Sequence, residues 1–103
     1  MNAKEAEKAK TAAARLLRRA RIAVTPEELE TMEVADLGLD DIRRVGLEII
    51  VYENNDRYCA KELVLFPRQT CPEHRHPRVA GDPGKRETFR VRRGVVWLSL
   101  IHI

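Results

Sequence analysis

The spacing of apolar residues changes once along this chain, near Gly46, and that change limits the architectures open to it. Before it, Ala6, Ala9, Ala13, Leu16, Leu17, Ala20 and Val24 recur at helical spacing on roughly one face, which predicts a helix over 3–23. Thr25-Pro26-Glu27-Glu28 supplies an N-cap, a proline at the first helical position and acidic residues in the first turn, the start signals of a second, short helix. Gly38 and Gly46 bracket a small helical turn over 40–44. Beyond Gly46 the residues become β-branched and predict a strand over 47–52, turn chemistry at Asn54-Asn55-Asp56, and a second strand over 58–66 that Pro67 ends. Pro77, Gly81, Pro83 and Gly84 mark 77–85 as a loop, and 88–92 with 95–100 read as a hairpin turning at Arg93-Gly94. Helices followed only by strands predict a mainly β protein: an N-terminal helical arm over 1–46 attached to an antiparallel sheet or barrel over 47–103.

Composition excludes several classes. With 103 residues the chain is long enough for one domain with a modest core, and 44% hydrophobic with 34% charged residues is ordinary for a folded soluble chain. No stretch approaches eighteen consecutive apolar residues, and the N-terminal alanines are interrupted by Lys, Glu and Arg, so neither a membrane span nor a secretory signal is expected. Cys59 and Cys71 form no C-x-x-C pair and are expected to be reduced thiols of a cytoplasmic protein. The net charge of +3 is unevenly spread: residues 1–24 hold Lys4, Lys8, Lys10, Arg15, Arg18, Arg19 and Arg21 against Glu5 and Glu7. Such a stripe can bind nucleic acid or anionic lipid, but a solvated helix face carries the same charges, and no aromatic residue is interleaved for stacking. No nucleic-acid or membrane partner is expected.

The chemistry-bearing segment is Cys71-Pro72-Glu73-His74-Arg75-His76-Pro77, followed by Glu87. Histidines at i and i+2 on extended chain point to one side, so His74 and His76 can converge on one ion. Imidazole nitrogens with one carboxylate oxygen suit Mn, Fe, Co or Zn, and three ligands with open positions describe a catalytic metal site. A plain surface H-x-H in a stiff loop is the bland reading. A zinc site built from Cys71, His74 and His76 is a rival that lacks a suitably spaced second cysteine.

The wider pattern resembles the first motif of cupin barrels: Gly, five residues, His-x-His, a short spacer, Glu, six residues, Gly. Here His74 and His76 are followed by Glu87 and then Gly94, with a longer spacer of ten residues and Arg68 at the leading glycine position. Both departures fit one branch, the D-lyxose ketol-isomerase family, which the chain resembles from about Thr25 to Trp97. The most specific stretches are Asp56-Arg57-Tyr58-Cys59-Ala60-Lys61-Glu62-Leu63, then Leu65-Phe66-Pro67-Arg68-Gln69-Thr70 leading into the histidine segment, Gly81-Asp82-Pro83-Gly84-Lys85, and Glu87-Thr88-Phe89-Arg90-Val91-Arg92. The resemblance implies an RmlC-like jelly-roll barrel with His74, His76 and Glu87 as ligands of a divalent ion, usually Mn2+, with Co2+, Fe2+ or Zn2+ as alternatives. It implies a fourth, histidine ligand further downstream, a homodimer when full length, and interconversion of D-lyxose, and by extension D-mannose, with the corresponding ketose. Lys85 could touch a sugar oxygen or be an ordinary loop lysine. The general base is not assigned. A non-catalytic cupin that binds a sugar or a metal would carry the same triad.

Residues 98–103, Leu-Ser-Leu-Ile-His-Ile, depart from the family pattern and match one translated frame of a transposon-end adapter used in short-read library preparation. They are expected to be a non-native tail on the first part of a truncated barrel, and His102 is not taken as a ligand. Two outcomes are expected: resequencing the source locus gives a different continuation after Trp97, and the 103-residue chain alone shows no isomerase activity.

Overall fold

A computed structural model describes residues 1–72 and 87–99. The chain divides into two compact units, Met1–Glu73 and His74–Ile103. The first contains the elements α1 (Ala3–Arg19), α2 (Pro26–Glu30), β1 (Glu33–Ala35), β2 (Leu47–Asn54) and β3 (Cys59–Val64). The strands form one antiparallel sheet in the order β1-β2-β3.

α1 begins where its sequence supplies a cap. The Asn2 side chain accepts from the Glu5 amide at 2.8 Å, and its own amide donates back to the Glu5 carboxylate. Ala9, Ala13 and Leu17 are its buried face, and the small alanines let the helix approach the sheet closely. The basic side chains lie opposite: all but the half-buried Lys10 are exposed, as a solvated face requires. Lys10 reaches the carbonyl of Glu30 at the end of α2.

The helix expected over 3–23 stops at Arg19. Arg21 turns to φ 57°, its amide bonds to the Arg18 carbonyl and the Ile22 amide to the Leu17 carbonyl, the paired bonds of a Schellman turn. The turn directs Ile22 and Val24 onto the core instead of continuing the helix. α2 forms as its signals predict, with a reciprocal capping box between Thr25 and Glu28.

The core joins α1 to the inner sheet face. Ala13 and Leu17 pack with Met32, Ile50 and Val64, and Leu16, Ile22, Val24, Leu29 and Phe66 close its rim. Strand β1 lies inside the segment expected as a helical arm. It is three residues long and pairs Glu33, Val34 and Ala35 with Ile49, Glu48 and Leu47. So short a strand has no recognisable alternation and takes its conformation from β2. The turn expected over 40–44 is a single hydrogen-bonded turn in which the Arg44 and Val45 amides share the Asp41 carbonyl. The Asn55 side chain closes the β2–β3 hairpin by accepting from the amides of Arg57 and Tyr58. A register shift between Val51 and Glu53 opposes three β2 residues to Lys61 and Ala60, a bulge that bends the strand's far end.

The hairpin expected over 88–100 is not formed among the described residues 87–99, which carry no strand. They bend at Arg93-Gly94, with Gly94 at φ 87°, where the turn was expected. A two-stranded ribbon without a third strand or helix to bury its face is marginal, which accounts for the bend without the ladder.

Gly46 is the tightest point of the sheet. Its φ is 132°, and a Cβ would fall on the Ala35 carbonyl oxygen and lie 2.8 Å from Ile42 Cδ1. A side chain must therefore either strain the backbone or push β1 off β2. Gly46→Ala is expected to lower the unfolding free energy by at least about 2 kcal/mol in a urea titration, against only about 1 kcal/mol for a control at Gly38, whose φ of 77° also disfavours a side chain but whose Cβ would meet nothing.

Candidate functional site

The chain reaches the histidine segment through a fixed joint. After β3, Phe66-Pro67-Arg68-Gln69 forms a β-turn closed by the Gln69 amide on the Phe66 carbonyl at 2.9 Å. Proline sits at the second position and Arg68 at the third with φ 64°, the type II arrangement that favours glycine at the third. The leading glycine of the cupin pattern falls on Arg68, so this chain keeps the left-handed backbone with a different side chain. Beyond the turn Thr70 bridges to Val45 in parallel. The Thr70 amide bonds to the Arg44 carbonyl at 2.7 Å, and its carbonyl accepts from the Gly46 amide at 2.8 Å.

Two buried polar residues unnoticed in the sequence hold this joint. Gln69 is 7% exposed and Glu48 is fully buried. Gln69 Oε1 accepts from the Phe66 amide at 3.0 Å, so its Nε2 donates to the Ile42 carbonyl at 2.6 Å and to Glu48 Oε2 at 3.1 Å. Glu48 Oε1 has no hydrogen-bond partner among the described residues. Burial pushes the Glu48 carboxyl up to about 7, against a smaller downward pull from the Gln69 hydrogen bond. The available signal was alternation: Glu48 lies two residues before Ile50 on the same strand face, so a core at Ile50 draws the glutamate in as well.

Of the expected site residues, His74, His76 and Lys85 lie outside the described residues. Glu87 is described and exposed. No group of three or more His, Cys, Asp or Glu side chains converges among the described residues. The donor set itself, two imidazoles and a carboxylate, fits a divalent first-row ion. Cys71, the thiol of the rival zinc reading, is half-buried, and burial raises its pKa, away from the thiolate that zinc needs. Among the described residues no helix is long and apolar enough to cross a membrane.

Comparison with known proteins decides the relationship. A D-lyxose/D-mannose isomerase of Thermosediminibacter oceani is 67% identical over 82 residues, 80% of this chain and 45% of that protein. A D-lyxose ketol-isomerase of Cohnella laeviribosi is 57% identical over 98 residues, 95% of this chain and 54% of its own length. This chain is a homologue of the D-lyxose ketol-isomerases. A third relative of that name, from a Thermofilum species, is 58% identical over 92 residues, 89% of this chain and 51% of its own. The chain thus spans about half the length of the curated relatives it matches. No family model matches it.

Because a left-handed backbone costs a non-glycine residue about 1 kcal/mol, part of which glycine's looser unfolded chain offsets, Arg68→Gly is expected to raise stability by about 0.5–1 kcal/mol. Urea unfolding measures it, and a loss of stability would instead assign the Arg68 side chain a part in holding the turn.

Proposed function

We propose that this chain carries the ligand segment of a cupin-type, metal-dependent aldose–ketose isomerase that interconverts D-lyxose and D-xylulose and also accepts D-mannose. The observation that carries the reading is the 57–67% identity, over 80–95% of the chain, to proteins named for isomerising these sugars. The outer sheet face supports the barrel: Ile49, Val51 and Leu63 are apolar on the side away from α1, and Val51 and Leu63 are each 38% exposed. Lys61 and Glu33 share that face, opposite Val51 and Ile49, so the apolar part that a further layer would cover is its middle.

In this reading His74, His76 and Glu87 hold the ion, Mn2+ by preference, and the fourth ligand is a histidine that this chain does not supply. A divalent ion held by these residues would supply Lewis acidity to the sugar and so make the C–H beside its carbonyl more acidic. Lys85 offers its ammonium to a sugar oxygen, where it offsets negative charge as the proton leaves carbon. The working protein is a cytoplasmic homodimer with a small sugar as partner.

The test is turnover of D-lyxose to D-xylulose by the product of the reading frame at the source locus. EDTA should abolish it and Mn2+ restore it. His74→Ala, His76→Ala and Glu87→Ala should each lower kcat/KM by more than about 100-fold, the scale on which even supporting residues of metal sites act. Lys85→Ala should lower it less, with sugar analogues binding more weakly. Absence of turnover with Mn2+, Co2+, Fe2+ and Zn2+ alike would overturn the assignment.

A further inference from the structure

The buried Glu48–Gln69 pair has more than a packing role. A carboxyl group with no exposed surface and one oxygen without a partner is expensive to keep, since a buried polar atom left unpaired costs about 1–3 kcal/mol. An apolar residue at this strand position would avoid that cost. The position is also mechanically central. Gln69 spends both amide hydrogens and its carbonyl oxygen on three separate pieces of chain: the 66–69 turn, the loop at Ile42 and strand β2. Glu48 is the partner that changes charge.

We propose that Glu48 is a proton-controlled latch: neutral, it closes the joint between β2, the Phe66–Gln69 turn and the loop at Ile42, and ionised, it releases that joint while the sheet stays folded. The physical reason is the asymmetry of the site. A neutral carboxyl carries no charge to be solvated, so in the closed joint its cost is limited to the O–H left without an acceptor. A carboxylate needs several donors or water, and Gln69 has no hydrogen left to give. The lowest-cost route to water moves the turn, because the turn joins the sheet through Gln69 and the Thr70 bridge, whereas β2 is bonded along both sides.

No neighbouring charge provides an alternative cause. The buried face of α1 offers only Ala9, Ala13 and Leu17, and β1 places Val34 opposite Glu48. α2 has no buried residue, and its Glu27, Glu28 and Glu30 flank the core rim at Leu29. From β3, Val64 lies opposite Glu48, and Glu62 lies two pairs further along on the same face, opposite Ile50, where it accepts from the Tyr52 hydroxyl. Glu5, Lys8, Asp40, Asp41 and Arg43 line the outer groove with Ile42 and Phe66. The Glu48 acidity is moved by burial and by Gln69 alone.

The direction with pH follows. Closed, Glu48 ionises at about 7; released to water it returns towards the ordinary 4.5. The closed joint is therefore fully favoured below about pH 4.5, weakens as pH rises to about 7, and is constant above that.

Amide hydrogen exchange on the 103-residue chain, corrected for intrinsic rates, tests this residue by residue. Protection of the Gly46, Phe66, Gln69 and Thr70 amides should fall at least about tenfold between pH 5 and pH 7 and level off above, while the β2–β3 ladder keeps its protection. Glu48→Gln, which cannot ionise, should hold joint protection constant across the range. Equal losses in joint and ladder, a joint indifferent to pH, or the same response in Glu48→Gln would each overturn the latch. Should that variant fail to fold, 13C titration of the wild-type Glu48 carboxyl decides: a midpoint coinciding with the loss of joint protection sustains the proposal, and one displaced from it by more than a unit overturns it.

Discussion

Gln69 is where three stretches of chain far apart in sequence are held at one point. Its side chain reaches twenty-seven residues back to the Ile42 carbonyl, twenty-one back to Glu48, and three back to the Phe66 amide. Each such bond adds only about 1 kcal/mol net, but the buried groups it satisfies would each cost more if left alone. The contribution is therefore less adhesive than geometric. With Gln69 in place, Thr70 falls beside Val45. Gly46 completes the arrangement from the other side, since its missing side chain lets the Ala35 carbonyl lie against the strand start.

Signals that reside in neighbouring residues were legible from the sequence, and those that depend on distant partners were not. The Thr25 N-cap and the turn at Asn54-Asn55-Asp56 are local chemistry, and both formed as read. The end of α1 was misplaced because the left-handed residue that closes it is Arg21, which carries no glycine signal. β1 escaped because its three residues become a strand only against β2. Glu48 looked like one polar interruption in an apolar run; that its face is the interior is decided by α1, more than thirty residues earlier. The proposed ligand triad of His74, His76 and Glu87 rests on motif and family pattern. Of that triad the described residues hold Glu87 alone.

Homology and structure answer different questions about the chain. High identity across most of its length ties it to the D-lyxose ketol-isomerases. The described fold contributes something the identities do not: a small sheet packed by α1 on one face, with its exit turn tied to the sheet by the buried Glu48–Gln69 pair.

Arg68 carries a consequence for how such a motif can change over generations. The backbone there is bent as glycine would bend it, although the residue is arginine. In the genetic code every arginine codon becomes a glycine codon by one change in its first base. Glycine and arginine versions of the turn are thus adjacent in mutational space, with no intermediate residue to pass through. A lineage can exchange the backbone freedom of one for the charge of the other in a single step, with the neighbouring Pro67 and Gln69 keeping the turn recognisable on either side of the exchange.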